Sequence, residues 1–175
     1  MALEIYRLNE LMSEMDRNEL SSSLSGFKCS RNRDTEFFLK KISLRHEAKD
    51  ISRTYLMIDP DEKKIKGYFT LAFKCLALGN PDLDPTIIDS MNLKNGIAQA
   101  YLIGQLARSD DAEQGLGRMM LGTALETFSE GKKLFGCRMV RLDCKDELID
   151  YYRSHGFQKI GRNAENELNQ MAIFI

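Results

Sequence analysis

The sequence predicts one α/β (α+β) domain built on a single mixed, mostly antiparallel sheet with flanking helices. In the first half of the chain, two β-rich runs are joined by a short turn. In the second half, such runs alternate with helical patterns. A chain of 175 residues with 43% apolar side chains is most economically one domain with a sizeable core. We expect that domain to span residues 1–175.

The chain opens with a short strand followed by two helical segments. Alternating apolar residues predict a strand over residues 3–8, and the polar helical stretch after it is interrupted by Ser21–Ser23 and Gly26. Asp34 is the predicted N-cap of the second helix. The apolar face of that helix consists of Phe38, Leu39 and Ile42.

A β-hairpin is predicted next, with a first strand over 54–58, a turn at 59–62 and a second strand over 65–78 that bends at Gly67. A turn and a short helix then occupy residues 79–95. The remaining elements are a strand over 98–107, a helix that stops near Gly131, a strand over 137–144, a helix over 146–154, and strands over 157–162 and 170–175.

Composition excludes several classes of function. The net charge of −1 gives no overall field for a polyanion, so nucleic acid is not a favoured partner. The four cysteines form no CxxC pair and the two histidines lie far apart, which argues against a metal site. No apolar run approaches the roughly 18 residues that span a bilayer, so we expect a cytoplasmic protein without membrane contact.

Two short motifs indicate chemistry. The first is Glu113-Gln114-Gly115-Leu116-Gly117-Arg118, which lies between a predicted strand and an apolar helix. Glycines at such a turn leave backbone N–H groups free at a helix N-terminus, where a pyrophosphate binds well. An ordinary capping glycine before an amphipathic helix accounts for the same residues.

The second motif is Tyr151-Tyr152-Arg153-Ser154-His155-Gly156-Phe157, at the end of a predicted helix. The phenol of a tyrosine, with a pKa of about 10, stays protonated at neutral pH and can donate a proton to a departing thiolate. The two tyrosines are equally explained as aromatic residues that fill a helix end.

In this order and spacing the motifs resemble those of the Gcn5-related N-acetyltransferase (GNAT) family, and the similarity is best over residues 54–160. The resemblance implies a splayed strand pair, acetyl-CoA as co-substrate without a metal, and Tyr152 as general acid. It also implies a cofactor site formed by Leu106, Ala107, Arg108, Glu113, Gln114, Gly115, Leu116, Gly117 and Arg118. Ala112 departs from the family pattern, which has a polar side chain there.

The implied reaction is direct transfer of acetyl from acetyl-CoA to a primary amine in a ternary complex. The strand over 98–107 contains no carboxylate, so the general base stays unassigned, with Glu113 as a candidate. Asp82, Asp84 and Asp89 are either a solvated acidic loop or carboxylates that attract a cationic amine. The apolar C-terminal strand fits either the core or a homodimer interface.

Residues 28–53 carry eight Lys or Arg and four Asp or Glu, a net charge of 8 − 4 = +4. This is typical of a surface helix, but residues 27–39 also resemble the N-terminal segment of GNAT toxins that acetylate aminoacyl-tRNA, which pair with DNA-binding antitoxins. In that alternative the basic surface binds tRNA phosphates. A second alternative is a CoA-binding module without catalysis.

Overall fold

The structure, a computed structural model, describes residues 3–77, 84–90 and 96–175. Within these residues seven strands form one mixed sheet in the order β1-β2-β3-β4-β5-β7-β6. The strands are β1 (Glu4–Arg7), β2 (Arg53–Asp59), β3 (Lys64–Ala77), β4 (Ile97–Arg108), β5 (Met139–Cys144), β6 (Gln158–Arg162) and β7 (Asn169–Phe174).

The helices are α1 (Leu8–Glu14), α2 (Arg17–Ser25), α3 (Arg33–Phe37), α4 (Ser43–Ala48), α5 (Pro85–Ser90), α6 (Leu116–Phe135) and α7 (Ile149–Arg153). A π-helical turn, Phe38–Ile42, joins α3 to α4, and a 3₁₀ turn, Asp146–Leu148, leads into α7.

The pairing of the strands confirms the predicted sheet. Strand β2 pairs antiparallel with both β1 and β3, and β7 pairs antiparallel with both β5 and β6. Strands β4 and β5 are parallel, with Tyr101 opposite Val140 and Leu102 opposite Arg141. The β2–β3 register shifts beside the predicted bend at Gly67. Separation of β4 from β5 beyond these pairs stays a prediction.

The described chain divides into two compact units, Met1–Ala72 with Gly104–Ala124, and Phe73–Ile103 with Leu125–Ile175. The core of the first unit is built around Tyr68, which is fully buried. Its ring meets Phe27 edge-on at 5.5 Å between centroids, and its hydroxyl donates to the carbonyl oxygen of Thr35 at 2.6 Å. This bond ties β3 to α3.

In the second unit an aromatic cluster anchors the C-terminal half of α6. Tyr101 of β4 stacks on Phe128 at 4.5 Å and meets Phe73 edge-on at 5.5 Å. Its hydroxyl donates to the carbonyl oxygen of Gly136 at 2.7 Å. The phenol therefore satisfies a backbone acceptor at the end of α6.

Two N-terminal boundaries differ from the sequence prediction. The serines at 21–23 lie inside α2, which begins after the Asp16 cap. The hydroxyls of Ser23 and Ser25 donate to the backbone carbonyl oxygens of Glu19 and Ser21, one helical turn earlier. The cap of α3 is Asn32 rather than Asp34, because the Asn32 side chain accepts from the N–H groups of Asp34 and Thr35.

The predicted end of α6 at Gly131 is also wrong, since the helix continues to Phe135. A Cβ atom on Gly131 would lie 3.2 Å from the Tyr101 hydroxyl, so this glycine allows the helix to pack against the ring. Gly136, with φ of +77°, provides the left-handed residue that ends the helix. In the described part of the chain, no helix combines the length and apolar character needed to cross a membrane.

Candidate active site

The turn that leads into α6 is formed by Gly115. Its φ is +90°, a conformation that glycine adopts without steric cost, and its carbonyl oxygen accepts from the N–H of Met119 at 3.1 Å. Gly115 is therefore the N-cap of α6. The N–H groups of Leu116, Gly117 and Arg118 precede the first intrahelical hydrogen bond and are the donors that such a helix offers to an anion.

A cavity of about 500 Å³ opens at this turn. Four of the predicted cofactor residues line it together, namely Glu113, Gln114, Gly115 and Leu116. The other lining residues are Leu3, Asp59, Glu62, Lys66, Asp111 and Met119. The cavity brings the N-terminal end of a 20-residue helix, with its partial positive charge, together with one lysine and several carboxylates.

The lysine in this cavity, Lys66, is held by two carboxylates. Its Nζ donates to Glu62 at 2.8 Å and to Asp111 at 3.0 Å, and these bonds raise the pKa of Lys66. The pKa of Asp111 is lowered, first by a hydrogen bond from Ser109 and then by Lys66. All three charges are thus maintained at neutral pH.

The last residues of β4 alternate between the two faces of the sheet. Ala107 is buried in the core of the first unit, while Leu106 and Arg108 are half-buried. The Arg108 guanidinium donates to the carbonyl oxygen of Ala112 at 3.3 Å. Arg108 thus supports the loop before Gly115 through its side chain.

Gly117 and Arg118 lie in the first turn of α6, where Arg118 is exposed. Neither these two residues nor Leu106, Ala107 and Arg108 line the cavity at Gly115. The roles given to all five by the sequence resemblance stay predictions.

Tyr152 lies in the second unit, on α7. Its side chain is buried between Tyr151 at 5.1 Å and Phe157 at 5.8 Å, both in edge-on geometry. Within the described residues its hydroxyl makes no hydrogen bond. Burial raises the pKa of Tyr152, and Cys144 and Tyr151 add to the rise, so the phenol stays protonated throughout the neutral range.

A second cavity of the first unit, about 560 Å³, is lined by four basic side chains of the N-terminal segment and by three carboxylates. We call it the basic groove, and its lining residues are Lys28, Ser30, Arg33, Asp34, Glu36, Phe37, Lys40, Lys41 and Asp110. Lys40 is paired with Glu36 at 2.6 Å. The Phe37 ring is 58% exposed, which is unusual for an aromatic side chain among cations.

One of the acidic residues proposed to attract an amine has another role. Asp84 caps α5, because its carboxylate accepts from both the N–H and the hydroxyl of Thr86. Asp89 lies near the end of the same helix and is exposed. Asp82 lies outside the described residues. In the part of the chain that is described, no group of three or more His, Cys, Asp or Glu side chains could hold a metal ion.

Sequence reasoning missed Lys66 and the pair Asp110-Asp111. A lysine inside a strand was the available sequence signal for Lys66, whose side chain is 10% exposed while its partners Glu62 and Asp111 are 42% and 58% exposed. The partners of Asp110 are remote in sequence, so only the three-dimensional structure identifies them.

Comparison with solved structures gives close matches over nearly the whole chain. One is AtaT complexed with acetyl-methionyl-tRNAfMet, with a TM-score of 0.76, 19% identity, and coverage of 99% of this chain and 95% of that one. Another is a Tyr-to-Phe mutant of KacT, with a TM-score of 0.77, 20% identity, and coverage of 98% and 95%. AtaTR bound with AcCoA matches with a TM-score of 0.71, 20% identity, and coverage of 98% and 92%.

This chain has the fold of the AtaT and KacT proteins. The predicted GNAT-like fold is thereby confirmed, and the similarity in structure covers nearly the full length of the chain. No family model matches the sequence, and no curated protein does.

Proposed function

We propose that the protein is an acetyl-CoA-dependent N-acetyltransferase whose acceptor is the α-amine of an aminoacyl-tRNA. The observation that carries the proposal is the fold shared with AtaT, a protein solved with acetyl-methionyl-tRNAfMet and, as AtaTR, with AcCoA. This reverses the order favoured by the sequence, in which an unidentified amine came first and tRNA second.

The turn at Gly115 suits the diphosphate of acetyl-CoA. It combines unpaired helical N–H groups with an open surface, since a Cβ atom on Gly115 would meet nothing within 4 Å. The missing polar side chain at Ala112 does not affect these backbone donors. When bound, acetyl-CoA supplies the activated acetyl group as a thioester.

Tyr152 is the proposed acid of the reaction. The acceptor amine attacks the thioester carbonyl, a C–N bond forms, the C–S bond breaks, and the amine loses a proton to solvent or to a base. The departing thiolate needs a proton, and the protonated Tyr152 phenol is its proposed donor. The same hydroxyl can donate a hydrogen bond to the thiolate before the proton is transferred.

The basic groove supports an RNA acceptor over a small amine. Lys28, Arg33 and Lys41 form no ion pair within the described residues, so they are available for phosphates. The exposed ring of Phe37 offers a surface on which an unpaired base can stack. A groove that combines both features fits a single-stranded RNA end better than a metabolite.

The test is release of CoA thiol from acetyl-CoA in the presence of charged tRNA, uncharged tRNA, free amines or peptides. We expect thiol release only with charged tRNA, and mass spectrometry of the released aminoacyl group should find it N-acetylated. Gly117→Glu, which places a carboxylate in the first turn of α6, should abolish binding of acetyl-CoA.

Two outcomes would contradict the proposal in different ways. Acetylation of a free amine or peptide, with no preference for charged tRNA, would restore the unidentified-amine hypothesis. Binding of acetyl-CoA without thiol release on any acceptor would favour the CoA-binding module. A homodimer stays a prediction, which light scattering of the purified protein tests.

A further inference from the structure

The loop between β4 and Gly115 is held on one side by Asp110. The two oxygens of its carboxylate accept from the N–H of Ser30 at 2.9 and 3.1 Å, and one also accepts from the Ser30 hydroxyl at 2.9 Å. The N–H of Asp110 donates to the carbonyl oxygen of Lys28 at 2.9 Å. This residue is thus attached to a segment 80 positions away in sequence.

The next residue holds the loop on the other side. The Asp111 carboxylate accepts from Lys66 at 3.0 Å and from the Ser109 hydroxyl at 2.6 Å. Backbone bonds reinforce both attachments, because the N–H of Ser109 donates to the carbonyl oxygen of Lys66 at 2.8 Å and Arg31 donates to that of Ser109 at 3.2 Å. Ser109 itself is 3% exposed, so the loop begins from a buried anchor.

We propose that Asp110 and Asp111 are positioning residues for the acetyl-CoA turn. They attach loop 109–112 to two separate segments and so fix the point from which the chain runs, through Glu113 and Gln114, to Gly115. This inference rests on the proposed binding of acetyl-CoA at that turn. Small displacements of binding groups reduce binding and rate substantially.

If only charge mattered, these two aspartates would weaken the binding of acetyl-CoA rather than support it. Each carries a negative charge near a proposed site for an anion, and Asp111 lines the cavity at Gly115. Removing either charge should therefore strengthen binding of the diphosphate if charge dominates. If positioning dominates, removal weakens binding, so the direction of the change separates the two explanations.

The experiment measures the dissociation constant of CoA by calorimetry for the full chain and its variants. Asp110→Ala and Asp111→Ala should each weaken binding about tenfold, on the scale expected for a misplaced binding group. Asp110→Asn should stay within about threefold of wild type, because an amide oxygen still accepts from Ser30. Asp61→Ala, at an exposed aspartate of the β2–β3 turn, is the matched control.

Steady-state kinetics separate positioning from general destabilisation. The KM for acetyl-CoA should rise while kcat at saturation stays near wild type, and thermal unfolding identifies any variant that fails to fold. If Asp110→Ala does not fold, Ser30→Ala removes one of the bonds and should weaken CoA binding severalfold. Unchanged or tighter CoA binding by the folded Asp110→Ala and Asp111→Ala variants overturns the inference, whereas absence of CoA binding by wild type overturns the proposed function instead.

Discussion

The turn at Gly115 and the helix that carries Tyr152 differ in what surrounds them. The turn is open and polar, with Glu113, Gln114 and Gly115 exposed beside Lys66 and its carboxylates. Tyr152 is enclosed by aromatic side chains, and burial is the largest cause of its raised pKa. One region therefore offers fixed donors in contact with water, and the other offers a single protonated hydroxyl in an apolar environment.

This difference indicates how each region should respond to mutation. Groups that bind the cofactor in both ground and transition states change KM, whereas groups that act only on the departing thiolate change kcat. We therefore expect mutations at the turn to affect acetyl-CoA binding and mutations at Tyr152 to affect the rate of transfer.

The largest effect is expected for Tyr152→Phe. Loss of the hydroxyl should lower kcat by about 100-fold or more, because a positioned acid typically contributes roughly 10²–10⁴-fold. The KM for acetyl-CoA and the melting temperature should change little, since the described residues give the hydroxyl no hydrogen bond to lose. Thiol-release kinetics with charged tRNA provide the measurement.

Tyr151→Phe is the control for that experiment, because it removes the hydroxyl of the neighbouring tyrosine on the same helix and keeps the ring. Its kcat should stay close to wild type. Equal losses in both variants would mean that the Tyr152 hydroxyl has no special role in the reaction.

A smaller effect is expected for Gly115→Ala. At φ of +90° an alanine is strained by about 1–3 kcal/mol, so the turn should relax and acetyl-CoA should bind about tenfold more weakly. Gly122→Ala lies in the same helix, at an exposed site where a Cβ atom meets nothing within 4 Å. This control should bind normally and gain about 0.5–1 kcal/mol of stability. Calorimetry and urea unfolding distinguish the two variants.

The sequence carried enough information for most elements of the sheet, because apolar alternation and turn residues mark strands locally. It could not distinguish the two glycines near the end of α6. Gly131 is a contact site for Tyr101, 30 residues earlier, and only Gly136 has the positive φ of a helix end. A local sequence pattern predicts a helix end at either glycine, and the packing of Tyr101 against Gly131 allows α6 to continue to Phe135.

For the candidate site, too, the sequence predicted local features but not long-range contacts. Four residues of the motif at 113–118, namely 113–116, line the cavity at Gly115, because the backbone conformation of a turn depends on local sequence. The supports of that turn depend on pairs such as Ser30 with Asp110 and Lys66 with Asp111, which are joined by folding across long separations. No spacing rule predicts such pairs.

Gly67 of β3 packs closely against α6 and the end of β4. A Cβ atom on Gly67 would lie 2.9 Å from the Met120 sulfur and 3.2 Å from the carbonyl oxygen of Ala107. Leu116, 3.1 Å from that Cβ atom, and Met120 both lie in α6, and the Ala107 carbonyl is backbone of β4 that yields little, so Gly67→Ala should displace the start of α6 and destabilise the protein by about 1–3 kcal/mol. Urea unfolding measures the loss, and CoA binding should weaken with it.

Gly161→Ala serves as the control for this prediction. There the nearest atom to the added Cβ is the Gln170 side-chain oxygen at 3.2 Å, which can rotate away. We expect little change in stability or in CoA binding. A similar loss at both sites would contradict the assignment of Gly67 to the support of α6.

The smallest expected effect is on the reactivity of Cys144, a buried thiol that interacts with Tyr152. Cys144 is buried, and burial followed by Asp143 and Asp146 raises its pKa to about 11. At pH 8 only about one thiol in a thousand is then ionised, so alkylation of Cys144 should be slow, whereas exposed Cys75 should react rapidly. Because a raised pKa disfavours the thiolate, the Cys144 rate should keep rising with pH up to about 11. Mass spectrometry of iodoacetamide-treated protein measures both rates, and equal rates at the two cysteines would contradict the burial of Cys144.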